Sequence, residues 1–186
     1  MNMQEHILKS AQKEKSLIGI RTNMIESDKV IIGFVVKVEK SHCIINEIDE
    51  YGYLIGNTII EMKDIINLDL SGRYQKRLNF IYNHSSSFDI NKRVSIWKEG
   101  QKLLPVLEDL LKNKAVVTLY FNDDDYVTGI ITKLVDGQLM IHTIGREGDD
   151  DGFSNYFVHN LTGLRHSSLE EQKIKLLYEN RTLFYK

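Results

Sequence analysis

Two stretches decide the reading of this chain: Val30-Ile-Ile-Gly-Phe-Val-Val-Lys-Val38 and Tyr126-Val-Thr-Gly-Ile-Ile-Thr-Lys-Leu-Val135. Both are β-rich runs with a glycine near the middle. Gly33 and Lys37 stand 96 residues before Gly129 and Lys133. A glycine inside a strand marks a bend, a bulge or a close backbone approach. Its recurrence predicts the same strong bend twice.

Working outward at the same offset, Gly52, Gly56, Ile45, Ile48, Leu68, Ser71 and Tyr82 meet Gly148, Gly152, Ile141, Ile144, Leu164, Ser167 and Tyr178. Thr22 and Asp28 meet Thr118 and Asp124. From Thr22 to Tyr82 there are 11 identities over 61 ungapped positions. Unrelated sequences of average composition would share about four, at roughly 6% of positions. The chain is therefore read as one unit written twice, and each copy serves as a control for the other. A residue the fold needs should recur, whereas a site added to one copy need not.

Each copy predicts the same order of elements. Residues 3–16 form a helix with Ile7, Leu8 and Ala11 on one stripe. Its counterpart starts at Pro105 and carries Leu103, Leu104, Leu107, Leu110 and Leu111. First strands are expected at 17–22 and 115–121, second strands at 30–38 and 126–135, and third strands at 43–49 and 139–145. Asp136-Gly137 is a hairpin signature. Loops at 50–56 and 146–152 lead to fourth strands at 58–62 and 153–158, then at once to fifth strands at 64–68 and 160–164. Closing helices span about 71–83 and 167–180, the second opened by a capping box of Ser168 and Glu171. The expected division is a first unit at 1–84, a linker at 85–100 around Trp97, and a second unit at 101–186. Trp97 is expected to pack between the units or to belong to the approach to the second helix.

A helix followed by five short antiparallel strands, with a bent second strand and a tight fourth-to-fifth junction, resembles the Sm-like small barrel. The resemblance implies an α+β chain, mainly β. It would hold two tandem five-stranded bent antiparallel barrels, each with an N-terminal and a C-terminal helix. Sm-like proteins carry an Asp and an Asn in the RNA-binding loop between strands two and three. Here that turn is Glu39-Lys40-Ser41 in one copy and Asp136-Gly137 in the other. The glycine-bearing turn between strands four and five becomes Met62-Lys63-Asp64 and Val158-His159-Asn160. The resemblance therefore implies the architecture and not the RNA chemistry. Such barrels assemble into rings by pairing strand edges, so exposed edges are candidate contacts with a protein partner or a second copy.

Composition narrows the classes. The 186 residues are 42% hydrophobic and 27% charged, with a formal charge of −2, so no global attraction to nucleic acid or anionic membrane is expected. No run reaches the length of a membrane span, and the opening Met-Asn-Met-Gln-Glu-His holds no apolar leader. A cytoplasmic location is expected. Cys43 is the one cysteine, which excludes an intrachain disulfide, and it reads as a small buried hydrophobe.

Three residue groups carry chemistry. Glu147, Asp149, Asp150 and Asp151 form an acidic loop and a candidate surface for a protein partner. Glu147, Asp149, Asp151 and Gly152 stand at EF-hand positions one, three, five and six, yet the twelfth position is Val158 and not a bidentate Glu. The first copy has Tyr51, Tyr53, Ile55 and Gly56 there, so only the glycine is shared. A second acidic turn, Asn122–Asp125, is explained by turn chemistry. His142, His159 and His166 have counterparts Asn46, Lys63 and Leu70. Asp149 and Asp151 with His142 or His159 would make a metal-binding or metal-assisted hydrolytic site, if they converge. Basic residues gather as Arg73, Lys76 and Arg77 on the first closing helix, and as Lys92, Arg93, Lys98 and Lys102 around Trp97. With Arg21, Lys37 and Lys40 they tilt the first half positive, which suits RNA or single-stranded DNA.

No recurring polar constellation and no catalytic motif is legible. The expected function is a non-catalytic binding or interaction protein without a cofactor. One role in that class is sequestering a protein partner through the 147–151 loop.

Overall fold

The computed structural model describes residues 3–23, 30–92, 94–98, 102–121 and 125–184. Its chain divides into two compact units, Met1–Ser85 and Ser86–Lys186. Among the described residues there are four α-helices and eleven strands in two antiparallel sheets.

In unit 1, helix α1 (Met3–Glu14) precedes β1 (Leu17–Thr22), β2 (Ile31–Val38), β3 (His42–Ile48), β4 (Leu54–Glu61) and β5 (Ile65–Leu70), and α2 (Arg73–His84) closes it. The sheet order is β4-β3-β2-β1-β5. Unit 2 holds β6 (Ser95–Lys98), α3 (Leu104–Asn113), β7 (Val116–Tyr120), β8 (Tyr126–Val135), β9 (Gln138–Ile144), β10 (Asp150–Phe157), β11 (Gly163–His166) and α4 (Leu169–Glu179). Its order is β10-β9-β8-β7-β11-β6.

The expected α+β composition and repeated strand order are present. Two features differ from two five-stranded barrels. Neither sheet closes, since β4 and β5 each have a single strand neighbour and β10 and β6 end the second sheet. The second sheet also gains a strand from the stretch read as a linker. Within Ser95-Ile-Trp-Lys98, Trp97 turns into the unit 2 core beside Leu164, while Ile96 faces outward. An alternation that buries one large aromatic is what an added edge strand requires. The fourth strands also begin four and three residues earlier than read.

Register makes the repeat physical. Ile18 pairs with Gly33, and Val117 pairs with Gly129. The first strands are therefore equivalent at an offset of 99 (117 − 18), not 96. Leu8 and Ala11 correspond in the same way to Leu107 and Leu110, all four buried. The three-residue difference falls in the turn between first and second strands. The match of Thr22 with Thr118 is thus coincidental, because the equivalent of Thr118 is Gly19. Asp28 and Asp124 lie outside the described residues.

Beyond that turn the offset of 96 holds. Val35, Cys43 and Ile45 fill the unit 1 core, and Ile131, Leu139 and Ile141 fill that of unit 2. Each such buried Ile or Leu contributes about 2 kcal/mol.

The repeated glycines have one cause. A Cβ on Gly33 would stand 2.2 Å from the Asn46 carbonyl oxygen, and one on Gly129 would stand 2.0 Å from that of His142. The second strand therefore passes against the third at a distance no side chain permits. A bulge follows in each copy, between Val35 and Lys37 and between Ile131 and Lys133. Replacing Gly129 with Ala should cost roughly 4 kcal/mol or more, in the class of severe backbone clashes. Urea unfolding followed through the unit 2 tryptophan should show a markedly lower midpoint for that variant.

Candidate functional site

The acidic loop is built by the fold. The Gly145 N–H donates to the Asp149 carbonyl at 2.9 Å, and the Gly148 N–H donates to the Gly145 carbonyl at 2.9 Å. The same pair of bonds joins Asp49 to Tyr53 and Gly52 to Asp49 in unit 1. Gly52 and Gly148 have φ of +80° and +76°, and a Cβ on either would strike the backbone of the closing helix, at Tyr82 or at Leu177 and Tyr178. The turn shape is thus common property, and the carboxylates belong to unit 2 alone.

Of those carboxylates, Asp150 is tied into a cluster. Its Oδ1 accepts from His142 Nε2 at 2.7 Å and from the Gly152 N–H at 3.2 Å. The other imidazole nitrogen, Nδ1, stands 3.2 Å from the Tyr178 hydroxyl. Phe153 stacks on the His142 ring at 4.5 Å, and Tyr178 meets it edge-on at 5.4 Å. The Arg181 guanidinium covers the Tyr178 ring at 4.2 Å and reaches Asp150 Oδ2 at 3.9 Å. The cluster ties β9, β10 and α4 together. Only Tyr178 recurs in unit 1, where Tyr82 meets Phe34 with ring centroids 4.8 Å apart. The sequence signal was available in the hairpin register, which sets Phe153 opposite His142, but the eight-residue separation of His142 from Asp150 resembles no ligand spacing.

Asp149 and Asp151 both flank Gly145, with Asp151 Oδ2 3.0 Å and Asp149 Cβ 3.5 Å from where a Cβ on that glycine would sit. His142 is committed to Asp150 and Tyr178 instead. His159 lies beyond the opposite end of β10, past the pair Phe157–Gln138, with its ring 5.3 Å from Phe157. Four residues of β9 separate Gln138 from His142, roughly 13 Å of strand. The two histidines therefore do not converge. Among the described residues, no group of three or more His, Cys, Asp or Glu side chains is placed to hold a metal ion.

The buried polar centre of unit 2 lies at the start of α4. Glu171, 2% exposed, accepts from the Ser168 N–H and Oγ, from Arg165 Nε at 2.8 Å and from Thr118 Oγ1 at 2.8 Å. The capping box is therefore present, with two further donors. Burial raises the carboxyl pKa of Glu171, but the bonds from Ser168, Arg165 and Thr118 outweigh it and hold the group below its ordinary value. Burial lowers that of the nearby His166.

The basic residues separate. Arg73 and Lys76 are exposed on the first turn of α2, but Arg77 is 5% exposed. It falls on the buried stripe with Leu78 and Ile81, so it cannot belong to a surface strip. Lys37 follows the β2 bulge and pairs with Glu39 at 2.5 Å, and Lys40 lies in the β2–β3 turn. Arg93 lies outside the described residues, as do Asn122, Asp123 and Asp124. Cys43 is fully buried, and desolvation pushes its thiol up to about 11, away from any nucleophilic use at neutral pH.

No protein-family model, curated protein or solved structure matches the chain.

Asp150 titrates below its ordinary 3.8, held down first by the His142 hydrogen bond and then by the Gly152 N–H. A depressed carboxyl contributes stability that is present above its unfolded value and lost as pH falls through the folded one. Asp150→Asn should therefore lower stability at pH 7 by about 0.5–1 kcal/mol, as for a half-exposed ion pair. The gap from the native chain should close as pH drops below 3.8. Thermal melts between pH 7 and pH 3, taken as about the working range of carboxylate titration, check this.

Proposed function

We propose that the chain is a non-catalytic interaction protein of tandem Sm-like architecture that binds another polypeptide by strand addition at its open sheet edges, in the first instance a second copy of itself. The observation that carries this is β4. It ends its sheet, yet presents Leu54, Ile55 and Ile59 at 52%, 61% and 68% exposure. Monomeric proteins keep large apolar side chains off open edges, because an unpaired row of N–H and C=O groups beside them templates association. Unit 2 repeats the pattern with Phe153 and Phe157 exposed on its edge strand β10.

The architecture reading draws support from both sheets. Each runs fourth, third, second, first, fifth strand, with a single 3₁₀ turn joining the fourth to the fifth at Met62–Asp64 and Val158–Asn160. The non-catalytic reading draws support from the cluster around His142, whose two ring nitrogens are both engaged in joining elements.

The nucleic-acid reading has less behind it. Unit 1, residues 1–85, carries 11 Lys and Arg against 11 Asp and Glu. The positive lean came from residues 92–102, which belong to unit 2. The metal reading loses its convergence, because His142 is engaged by Asp150 and Tyr178 and His159 lies past the opposite end of β10. Sequestration of a protein partner through Glu147, Asp149, Asp150 and Asp151 would have to proceed with Asp150 already held by His142.

The test is sedimentation velocity across a concentration series. The native chain should associate, and Ile55→Lys with Ile59→Lys should remain monomeric. Both side chains are exposed, so the double variant should melt within about 0.5 kcal/mol of the native chain. A native chain that stays monomeric throughout, or a variant that associates equally well, would contradict edge pairing between copies.

A further inference from the structure

The two sheets differ at their fifth strands. In unit 2, β11 takes β6 along its outer side, with Leu164 opposite Trp97 and Gly163 opposite Lys98. Trp97 is 7% exposed and belongs to the same core cluster as Leu107, Leu110 and Leu164. The segment ahead of β6 is gripped as well. The Asp89 N–H donates to Gln172 Oε1 at 2.8 Å, and Gln172 Nε2 donates to the Asp89 carbonyl at 3.3 Å. Unit 2 thus shows what its fifth strand and closing helix accept. It is an extended segment that buries a tryptophan and is held on α4 eight residues earlier (97 − 89).

In unit 1, among the described residues, β5 has β1 as its one strand neighbour. The equivalents of Gly163–His166 are Asn67, Leu68, Asp69 and Leu70. Leu68 pairs with Ile20 as Leu164 pairs with Leu119, so the register is the same. Yet Leu164 is 1% exposed, whereas Leu68 is only partly buried and Leu70 is 45% exposed. Apolar side chains left bare on an open edge mark a place where another strand can add. Beside Leu70 a cleft of about 630 Å³ opens, lined also by Ile7, Ala11, Leu17 and Lys76. Ala11 stands where unit 2 has Leu110 of the tryptophan's cluster, and Lys76 stands where it has Gln172. The Gln4 side chain donates to the Ile65 carbonyl, which lies ahead of the four edge positions.

We propose that unit 1 takes at β5 an extended segment of a partner polypeptide, seated as β6 is seated on β11. The segment runs antiparallel to Asn67–Leu70 and sets a large aromatic residue opposite Leu68. A side chain opposite Leu68 shares its face, and Leu70, two residues along on that face, borders the cleft. The smaller Ala11 leaves room for the ring. Main-chain bonds along the edge supply affinity, and the cleft supplies selectivity. Lys76 puts a cation where unit 2 has a neutral amide, so the segment carries an acidic residue about eight positions before the aromatic one, the spacing of Asp89 and Trp97. The proposal shares strand addition with the reading above but concerns another edge than β4.

The probe is a fluorescein-labelled peptide with the sequence of Phe88–Lys98, the segment that unit 2 already accepts, titrated with the full chain. Saturable anisotropy is expected, with amide shifts confined to residues 66–70, α1 and the first turns of α2. Trp97→Ala in the peptide should weaken binding about tenfold or more, as for an interface hot spot. In the protein, Leu70→Arg should weaken it to a similar degree, and Lys76→Glu should weaken it most at low salt. Both of those side chains are exposed, so neither variant should change the melting temperature appreciably. The variant with Ile55→Lys and Ile59→Lys should bind the peptide as the native chain does, which separates this site from pairing at β4. No saturable binding, equal binding by the tryptophan-free peptide, or shifts centred on Gly163–His166 from displacement of β6 would overturn the proposal.

Discussion

Everything in this fold passes through one steric constraint, the contact of the second strand with the third. At Gly33 and Gly129 the facing carbonyl oxygen occupies the volume a Cβ would need. That contact fixes where the long strand crosses its neighbour, and the bulge just beyond it re-aims the strand. Residues on either side then alternate correctly into a single core. The inward set Val35, Cys43 and Ile45 in unit 1 matches Ile131, Leu139 and Ile141 in unit 2 because the same crossing sets the same register. A side chain at the crossing would push the strands apart and undo both the ladder and the core beneath it.

Against that constant frame the two copies diverge at their polar positions. In unit 2, Glu171 caps its own helix, and Asp150 and Arg181 close around His142 and Tyr178. Unit 1 has the neutral amide of Gln75 in the place of Glu171. Burying a charged group is tolerated only with full hydrogen bonding, and Glu171 meets that condition with three donor residues. The contrast also separates two kinds of identity between the copies. Gly52 and Gly148 recur because the backbone of the closing helix excludes a side chain there. The carboxylates of the unit 2 loop do not recur, and Tyr53, Leu54 and Ile55 stand in unit 1 at the places of Asp149, Asp150 and Asp151.

Much of the architecture was legible because it rests on local rules. Glycine-centred strands, the Asp136-Gly137 hairpin and the Ser168–Glu171 cap each declare themselves within a few residues. What escaped is what depends on register across strands. The offset is 99 before the first turn and 96 after it, so counting at one offset matched Thr22 with Thr118, which are not equivalent. The strand Ser95–Lys98 is four residues long and surrounded by polar sequence, and it is a strand only because β11 offers an edge to receive it. Arg77 was the readable error: one residue before Leu78 and four before Ile81, it sits on the helix stripe that faces inward. The cluster at His142 joins residues from 142 to 181, and no linear spacing announces such a meeting.

The central claim is that the open β4 edge is a binding surface, and one measurement bears on it directly. A benzophenone amino acid placed at Asn57, on that edge between Ile55 and Ile59, can be activated by light in living cells. The account predicts a discrete cross-linked species, to a second copy or to one polypeptide partner, that disappears when Ile55 and Ile59 are replaced by lysine. Diffuse labelling that those lysines leave unchanged would contradict it.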